Sequence, residues 1–249
     1  SGIMANITNK TMFGDYRAAA RQTNEAGRVQ ANMLEARLAF RKYRAELTDG
    51  LRQEVVERLK TTQASVDALS ALSTSDSQKA IISGFTGMVD TYAKAFEQVV
   101  VMQKQRDDIV SNTLDALGPE MADKLGEVSK ALEEGGDLQT AAIVEDAKYA
   151  VATMRLGTNK FLLKNDEASH ASALESAKAA EAALDAANKT VKSDDDRATI
   201  EALIAKFDAY DAGLVKIKEV IAARNDIINN TMNTTGGTLS NAVEELKLE

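Results

Sequence analysis

Two pairs of arginines in this chain could bind an anion. Arg37 and Arg106 recur, 118 positions later, as Arg155 and Arg224. Arg106 and Arg224 interrupt helical stripes that are otherwise apolar, so they would point into a helical bundle. A buried guanidinium needs an anionic partner to offset its desolvation, and its planar fork matches a carboxylate through two hydrogen bonds. These residues therefore predict a binding site for a small organic anion.

Other polar residues fall in the same layers of the bundle register derived below. The two copies differ there, because Arg41 and Arg44 of the first copy become Asn159 and Leu162 in the second. This asymmetry favours one anion site over two equivalent ones. The candidate ligand-binding residues are Arg37, Arg41, Arg44, Arg106, Arg155, Thr158, Asn159, Arg224 and Thr231.

The arginines also have a purely structural interpretation. They could extend their apolar stems inward and their charged heads outward, or pair with carboxylates beside the stripe. Asp107, Asp108, Asp226 and Glu46 are close enough in sequence to serve. Tyr92 and Tyr210, which the repeat also pairs, mark a second candidate pocket opposite small alanines, with core tyrosines as the alternative.

Other chemistries find no support in the sequence. Glu167 and His170 have the spacing of di-iron bundles, but such sites need two copies and His170 is the only histidine, so we expect it to be solvated. There is no cysteine, phosphate loop or nucleophile motif. A net charge of -8 argues against nucleic-acid binding. We therefore expect no enzyme activity, no cofactor and no metal.

The composition predicts an all-α protein. One proline and few aromatic residues leave little to interrupt a helix. Clusters of turn and capping residues divide the chain into six helices, at about 5–48, 51–72, 76–133, 138–165, 168–191 and 195–247. No apolar run reaches the length of a membrane span.

The arginine pairs belong to an internal duplication, in which residues 37–118 align without a gap on residues 155–236. If the break at Gly50 is a kink and the chain reverses only near Ser75 and Ser193, the helices form two stacked four-helix bundles. The membrane-proximal bundle would comprise about 5–49, 100–165 and 218–249, and the distal bundle about 50–99 and 166–217. Arg37, Thr113, Arg155 and Thr231 would then share one layer.

The chain resembles the helical bimodular sensor domain of bacterial methyl-accepting chemotaxis proteins, and is most similar to receptors for tricarboxylic-acid-cycle intermediates. The resemblance rests on the two similar halves, on Ala36-Arg37-Leu38 followed by an aromatic residue, on Arg155 to Asn165, and on Arg224. It implies a periplasmic domain between two membrane helices, organic acids in the proximal bundle and a small acid such as acetate in the distal one. Arg37 and Arg224 match ligand-binding arginines of the family, whereas Leu34 and Asn159 replace basic residues.

The leading hypothesis is therefore the sensor domain of a chemoreceptor that binds a small carboxylate, works as a homodimer and reaches the membrane through flanking helices. The second hypothesis is the sensor domain of a membrane histidine kinase, which would detect its signal through a periplasmic partner protein instead of a small ligand. A structural helical spacer is the third hypothesis, and it predicts no ligand and arginines that pair with protein carboxylates.

Overall fold

The computed structural model describes residues 2–248, and the side chains of residues 11–247. This part of the chain contains no strand, which confirms the all-α class. The helices are α1 (Gly2–Glu46), α2 (Asp49–Leu72), α3 (Asp76–Ile109), α4 (Asp115–Glu134), α5 (Leu138–Lys164), α6 (Glu167–Thr190), α7 (Asp194–Asp226) and α8 (Asn233–Leu248). Short π-helical segments join α3 to α4 and α7 to α8, so the eight helices form six continuous runs. Their bounds agree with the six predicted helices to within a few residues.

Local chemistry explains where the runs end. Leu47 and Asn165 occupy equivalent positions of the repeat, and both adopt the left-handed conformation, with φ of 55° and 57°. The next residue in each copy, Thr48 or Asp166, caps the following helix by accepting a hydrogen bond from a backbone N–H. The duplication has thus preserved a tight reversal in both copies.

The chain folds into two compact units. Unit one comprises residues 1–99 and 225–249, and unit two comprises residues 100–224. The division between the units falls near the C-terminal ends of α3 and α7. It differs from the predicted grouping, which assigned α1 to one bundle and α2 to the other.

In unit one, α1 packs antiparallel to α2. Asn32 Nδ2 donates to Ser65 Oγ over 2.7 Å, and Gln22 Nε2 donates to the carbonyl of Leu72. The chain therefore reverses at Leu47–Thr48, and the prediction of a kink at Gly50 is wrong. The physical reason is the left-handed Leu47, since leucine gives no sequence signal for that conformation.

The segment from Asn225 onward completes unit one. Gln30 on α1 donates to the carbonyl of Ser240 and to Glu244 on α8. Further along α1, Arg37 lies against Gly236. Later residues of α1 contact earlier residues of α8, so the two helices are antiparallel. The beginning of α1 and the end of α8 therefore lie at the same end of this unit.

Unit two is one continuous stretch of chain with four helical runs and its own core. Leu125, Met154, Leu184 and Ile200 are among its fully buried side chains. Ser129 on α4 donates to the carbonyl of Ala141 on α5, which places these helices antiparallel across the turn at Gly135–Asp137.

The two π-helical segments, Val110–Leu114 and Ile227–Met232, lie at equivalent positions of the repeat. Each contains a hydrogen bond across five residues, from Asp115 to Val110 and from Asn233 to Ile228. Pro119 does not cause the first segment, because the second copy has Gly237 at that position and forms a π-helical segment as well. No described helix combines the length and the apolar character that a membrane crossing needs.

Candidate anion-binding site

Arg37 is held on the backbone of the other repeat copy. A Cβ built on Gly236 would lie 2.9 Å from Arg37 Nε and 3.0 Å from its Cδ, so a larger residue there would require the arginine side chain to shift. Arg37 is half-buried. Its guanidinium makes no ion pair or hydrogen bond with any residue that the structure describes. It is therefore positioned and still available to an anion.

Tyr92 is the second member of this site. Its side chain is buried, and burial raises the pKa of the Tyr92 phenol to about 12, while the charges of Arg37 and Arg41 lower it. The phenol is therefore a neutral hydrogen-bond donor at physiological pH. Within residues 11–247, its hydroxyl group makes no hydrogen bond. Tyr92 thus belongs with Arg37 and not with the separate distal pocket that the sequence predicted.

Two further arginines follow Arg37 on α1. Arg41 is exposed but close enough to influence Tyr92. Arg44 is exposed too, and its guanidinium carbon lies 6.0 Å from the centre of the Phe40 ring. Phe40 packs edge-on against Tyr92. Unit one therefore gathers three arginines of one helix around an aromatic cluster.

Unit two contains an equivalent arginine, glycine and tyrosine. Arg155 lies against Gly118, where a Cβ would come within 2.9 Å of its Nε. Tyr210 is buried like Tyr92, but its hydroxyl donates to Thr158 Oγ1 over 2.9 Å, and Thr158 in turn donates to the carbonyl of Met154. Burial raises the pKa of Tyr210. The Tyr210 hydroxyl therefore has a hydrogen-bond partner within the protein. In the first copy, the residue at the position of Thr158 is Phe40, which has no hydrogen-bonding side chain.

The guanidinium groups of Arg106 and Arg224 are bound by protein side chains. Arg106 pairs with Asp107 at 3.0 Å. Arg224 donates to Gln103 Oε1 over 2.7 Å, and Gln103 Nε2 donates to Asp107 Oδ1. The pair of Arg106 with Asp107 is what the structural interpretation predicted, whereas the hydrogen bond of Arg224 to Gln103 was not predicted.

The structure does not gather the predicted layer into one unit. Arg37, Arg41, Arg44, Tyr92 and Thr231 belong to unit one. Unit two holds the remaining site candidates, namely Arg106, Arg155, Thr158, Asn159, Tyr210 and Arg224. Thr231 is half-buried within the second π-helical segment, and Asn159 is exposed.

Sequence reasoning missed the two glycines and misplaced the histidine. Gly118 and Gly236 recur at the same position of the repeat inside long helices, where glycine costs about 1 kcal/mol relative to alanine. That recurrence was the available signal for close packing. His170 is buried, contrary to the expectation of a solvated side chain: its Nε2 lies 3.0 Å from the carbonyl of Leu214 and its ring packs on Phe161.

A groove of about 940 Å³ also opens in unit one, between α2 and α3. Its floor is apolar and includes Leu59, Val89 and Phe96. Lys94 on its rim already pairs with Asp90 at 2.8 Å. None of the predicted site residues lines this groove.

In comparisons with known proteins, no family model and no curated protein matches the chain. Among the described residues, no group of acidic, histidine or cysteine side chains could hold a metal ion.

Proposed function

We propose that this protein is the extracytoplasmic sensor domain of a bacterial chemoreceptor, and that it binds a small organic carboxylate in unit one. Arg37 supplies the charge-assisted hydrogen bonds to the carboxylate, Tyr92 donates a further one, and Arg41 adds positive charge at the entrance. The protein functions as a homodimer in the periplasm, joined to the membrane by helices that continue α1 and α8.

One observation carries this proposal. A half-buried guanidinium and a buried phenol, Arg37 and Tyr92, both lack a hydrogen-bond partner among the described residues and are near enough to interact electrostatically. Both groups keep contact with solvent, because Asn188 Oδ1 is the one side-chain oxygen or nitrogen of the described residues that is buried without a hydrogen-bond partner, so an anion from solution can reach them. In unit two the equivalent phenol, that of Tyr210, donates a hydrogen bond to Thr158. The unpaired donors of unit one are therefore not a general property of the duplicated fold.

The packing of α1 against α8 supports the receptor part of the proposal. A domain that connects two membrane helices needs its first and last helices to reach the same end, and α1 and α8 do so in unit one. A ligand held between them by Arg37 would change the free energy of their relative placement. Only such a differential interaction can transmit a signal.

The spacer hypothesis accounts for Arg106, which pairs with the carboxylate of Asp107. It does not account for Arg37. The state of Arg37 therefore separates a sensor from a spacer.

Thermal unfolding in the presence of C2 to C6 mono-, di- and tricarboxylates tests the proposal. At 100 times its dissociation constant, the cognate acid should stabilise the protein by about 2.7 kcal/mol. Arg37→Ala should remove this stabilisation, and Gly236→Ala should weaken it, because the added methyl group displaces the arginine stem. Both variants should remain folded.

Arg28→Ala is the matched control. Arg28 lies on the same helix, is exposed and already pairs with Glu25, so its loss should leave ligand binding unchanged. If no carboxylate stabilises the wild-type protein, or if Arg37→Ala binds as tightly as wild type, the proposed site is wrong.

A further inference from the structure

The outer face of α5 carries a stripe of large apolar side chains that no part of unit two covers. Tyr149, Leu156 and Leu163 are 76%, 70% and 86% exposed. They are spaced seven residues apart, so they line one face of the helix over about 21 Å at 1.5 Å per residue. Ala152 and Asn159 fill the positions between them. This is the pattern of a helix that packs against another helix.

The duplication shows that the stripe is not inherited from the fold. Leu156 and Leu163 lie within the aligned copies, and their equivalents on α1 are Leu38 and Ala45. A small side chain of the first copy thus corresponds to the exposed Leu163 in the second. Large apolar side chains in water are unfavourable, and a contiguous set of them marks an interaction surface.

The charges beside the stripe identify the kind of partner. From Tyr149 to Lys164, α5 carries three basic side chains and no acidic one, although the chain as a whole has a net charge of -8, while the preceding turn holds Asp146 and Glu145, which pairs with Lys148. By helical geometry, Lys160 and Lys164 flank the stripe on one side, and on the other side lies Arg155, whose side chain packs against Gly118 of α4. Lys160, Lys164 and Arg155 form no ion pair with a described residue.

A second copy of α5 fits this surface poorly. In a parallel pairing of two α5 helices, basic side chains such as Arg155 and Lys160 would face each other across the seam, and like charges at those positions oppose association. An acidic helix would instead meet the opposite charges of Lys160 and Lys164 along one flank of the stripe.

We propose that this face of α5, defined by Tyr149, Leu156 and Leu163 with the flanking lysines, is the docking site for an acidic amphipathic helix of a partner protein. The partner helix places apolar side chains at heptad spacing on the stripe and carboxylates opposite Lys160 and Lys164. Through this surface, unit two recognises a protein, independently of the carboxylate site of unit one.

Fluorescence anisotropy with three labelled peptides of heptad design tests the proposal on the whole chain. The first peptide has leucine at the seam and glutamate on the flanks, the second has lysine on the flanks, and the third is a scrambled form of the first. The glutamate peptide should bind at least tenfold more tightly than either of the others. Leu156→Asn/Leu163→Asn should weaken its binding at least tenfold, and Lys160→Glu/Lys164→Glu should reverse the preference between glutamate and lysine flanks.

Leu34→Asn is the control, since Leu34 is also an exposed leucine but lies on α1. Circular dichroism confirms that each variant is folded, as substitutions at such exposed positions should allow. Equal binding of the glutamate and scrambled peptides would overturn the proposal. So would a dimer in sedimentation that Leu156→Asn/Leu163→Asn dissolves, or binding to phosphatidylglycerol vesicles that the same variant loses, because these results would assign the stripe to a second copy or to a membrane.

Discussion

At the scale of single residues, the four duplicated arginines occupy two different environments. Arg106 and Arg224 are closed by Asp107 and Gln103, whereas Arg37 and Arg155 lie on glycines of the opposite repeat copy. The sequence predicted that these arginines would reach inward, and it placed Asp107 near enough to pair. Which of them stay open could not be predicted, because that depends on contacts such as Arg37 with Gly236, which are far apart in the chain.

Asn165 provides a test of the reversal between α5 and α6. It holds a left-handed conformation, in which asparagine is tolerated and alanine is strained. Asn165→Ala should therefore lower the free energy of unfolding by about 1 kcal/mol, and Asn165→Gly should retain most of the stability. Chemical denaturation measures both changes.

The control for this prediction is Asn159→Ala on the same helix. Asn159 is exposed and lies within the helix, where alanine is the better helix former, so this change should be neutral or slightly stabilising. A loss of stability at Asn159 equal to that at Asn165 would show that the left-handed conformation is not the cause.

At the scale of elements, the six helical runs were predictable because turn and capping residues bound each of them. The antiparallel pairing of α1 with α2 was not, since Leu47 disguises a reversal that Asn165 marks in the second copy. The prediction placed no reversal at Asn165 either, although α5 and α6 pack antiparallel through contacts such as Phe161 with His170. The predicted register was displaced in both halves for this reason. The π-helical segments were also missed, because their sequences look like ordinary helix.

The first π-helical segment packs unusually close to α7. A Cβ on Gly213 would lie 2.9 Å from Thr113 Cγ2 and 3.5 Å from Leu114 Cδ2. Gly213→Ala should therefore destabilise the protein by about 1–3 kcal/mol through overpacking. Thr113→Ser, which removes the obstructing methyl group, should restore part of this loss in the double variant.

Gly84→Ala is the matched control, because Gly84 also lies inside a helix but a Cβ there meets no atom within 4 Å. This change should stabilise the protein by about 0.5–1 kcal/mol, as expected for replacing glycine in a helix. Stabilisation by Gly213→Ala as well would contradict the close contact with the π-helical segment.

At the scale of the whole molecule, the repeat and the compact unit do not coincide. Each repeat copy contributes most of its length to one unit and its C-terminal end to the other, so residues 100–118 belong to unit two and residues 225–236 to unit one. The arginine and glycine pairs follow from this exchange: Arg37 of the first copy meets Gly236 of the second, and Arg155 of the second meets Gly118 of the first. A gapless alignment reveals duplication, but it cannot reveal which ends are exchanged.

This exchange leads to a prediction about folding. Residues 100–224 form one unbroken stretch with four helical runs and their own buried core, so this fragment should fold alone. Residues 37–118, which are the repeat itself, lack both α8 against α1 and α5 against α4, so they should not. Thermal unfolding followed by circular dichroism should show a cooperative transition for 100–224 and none for 37–118. A cooperative transition in the repeat fragment, or its absence in 100–224, would mean that the duplicated sequence and not the exchanged unit governs folding.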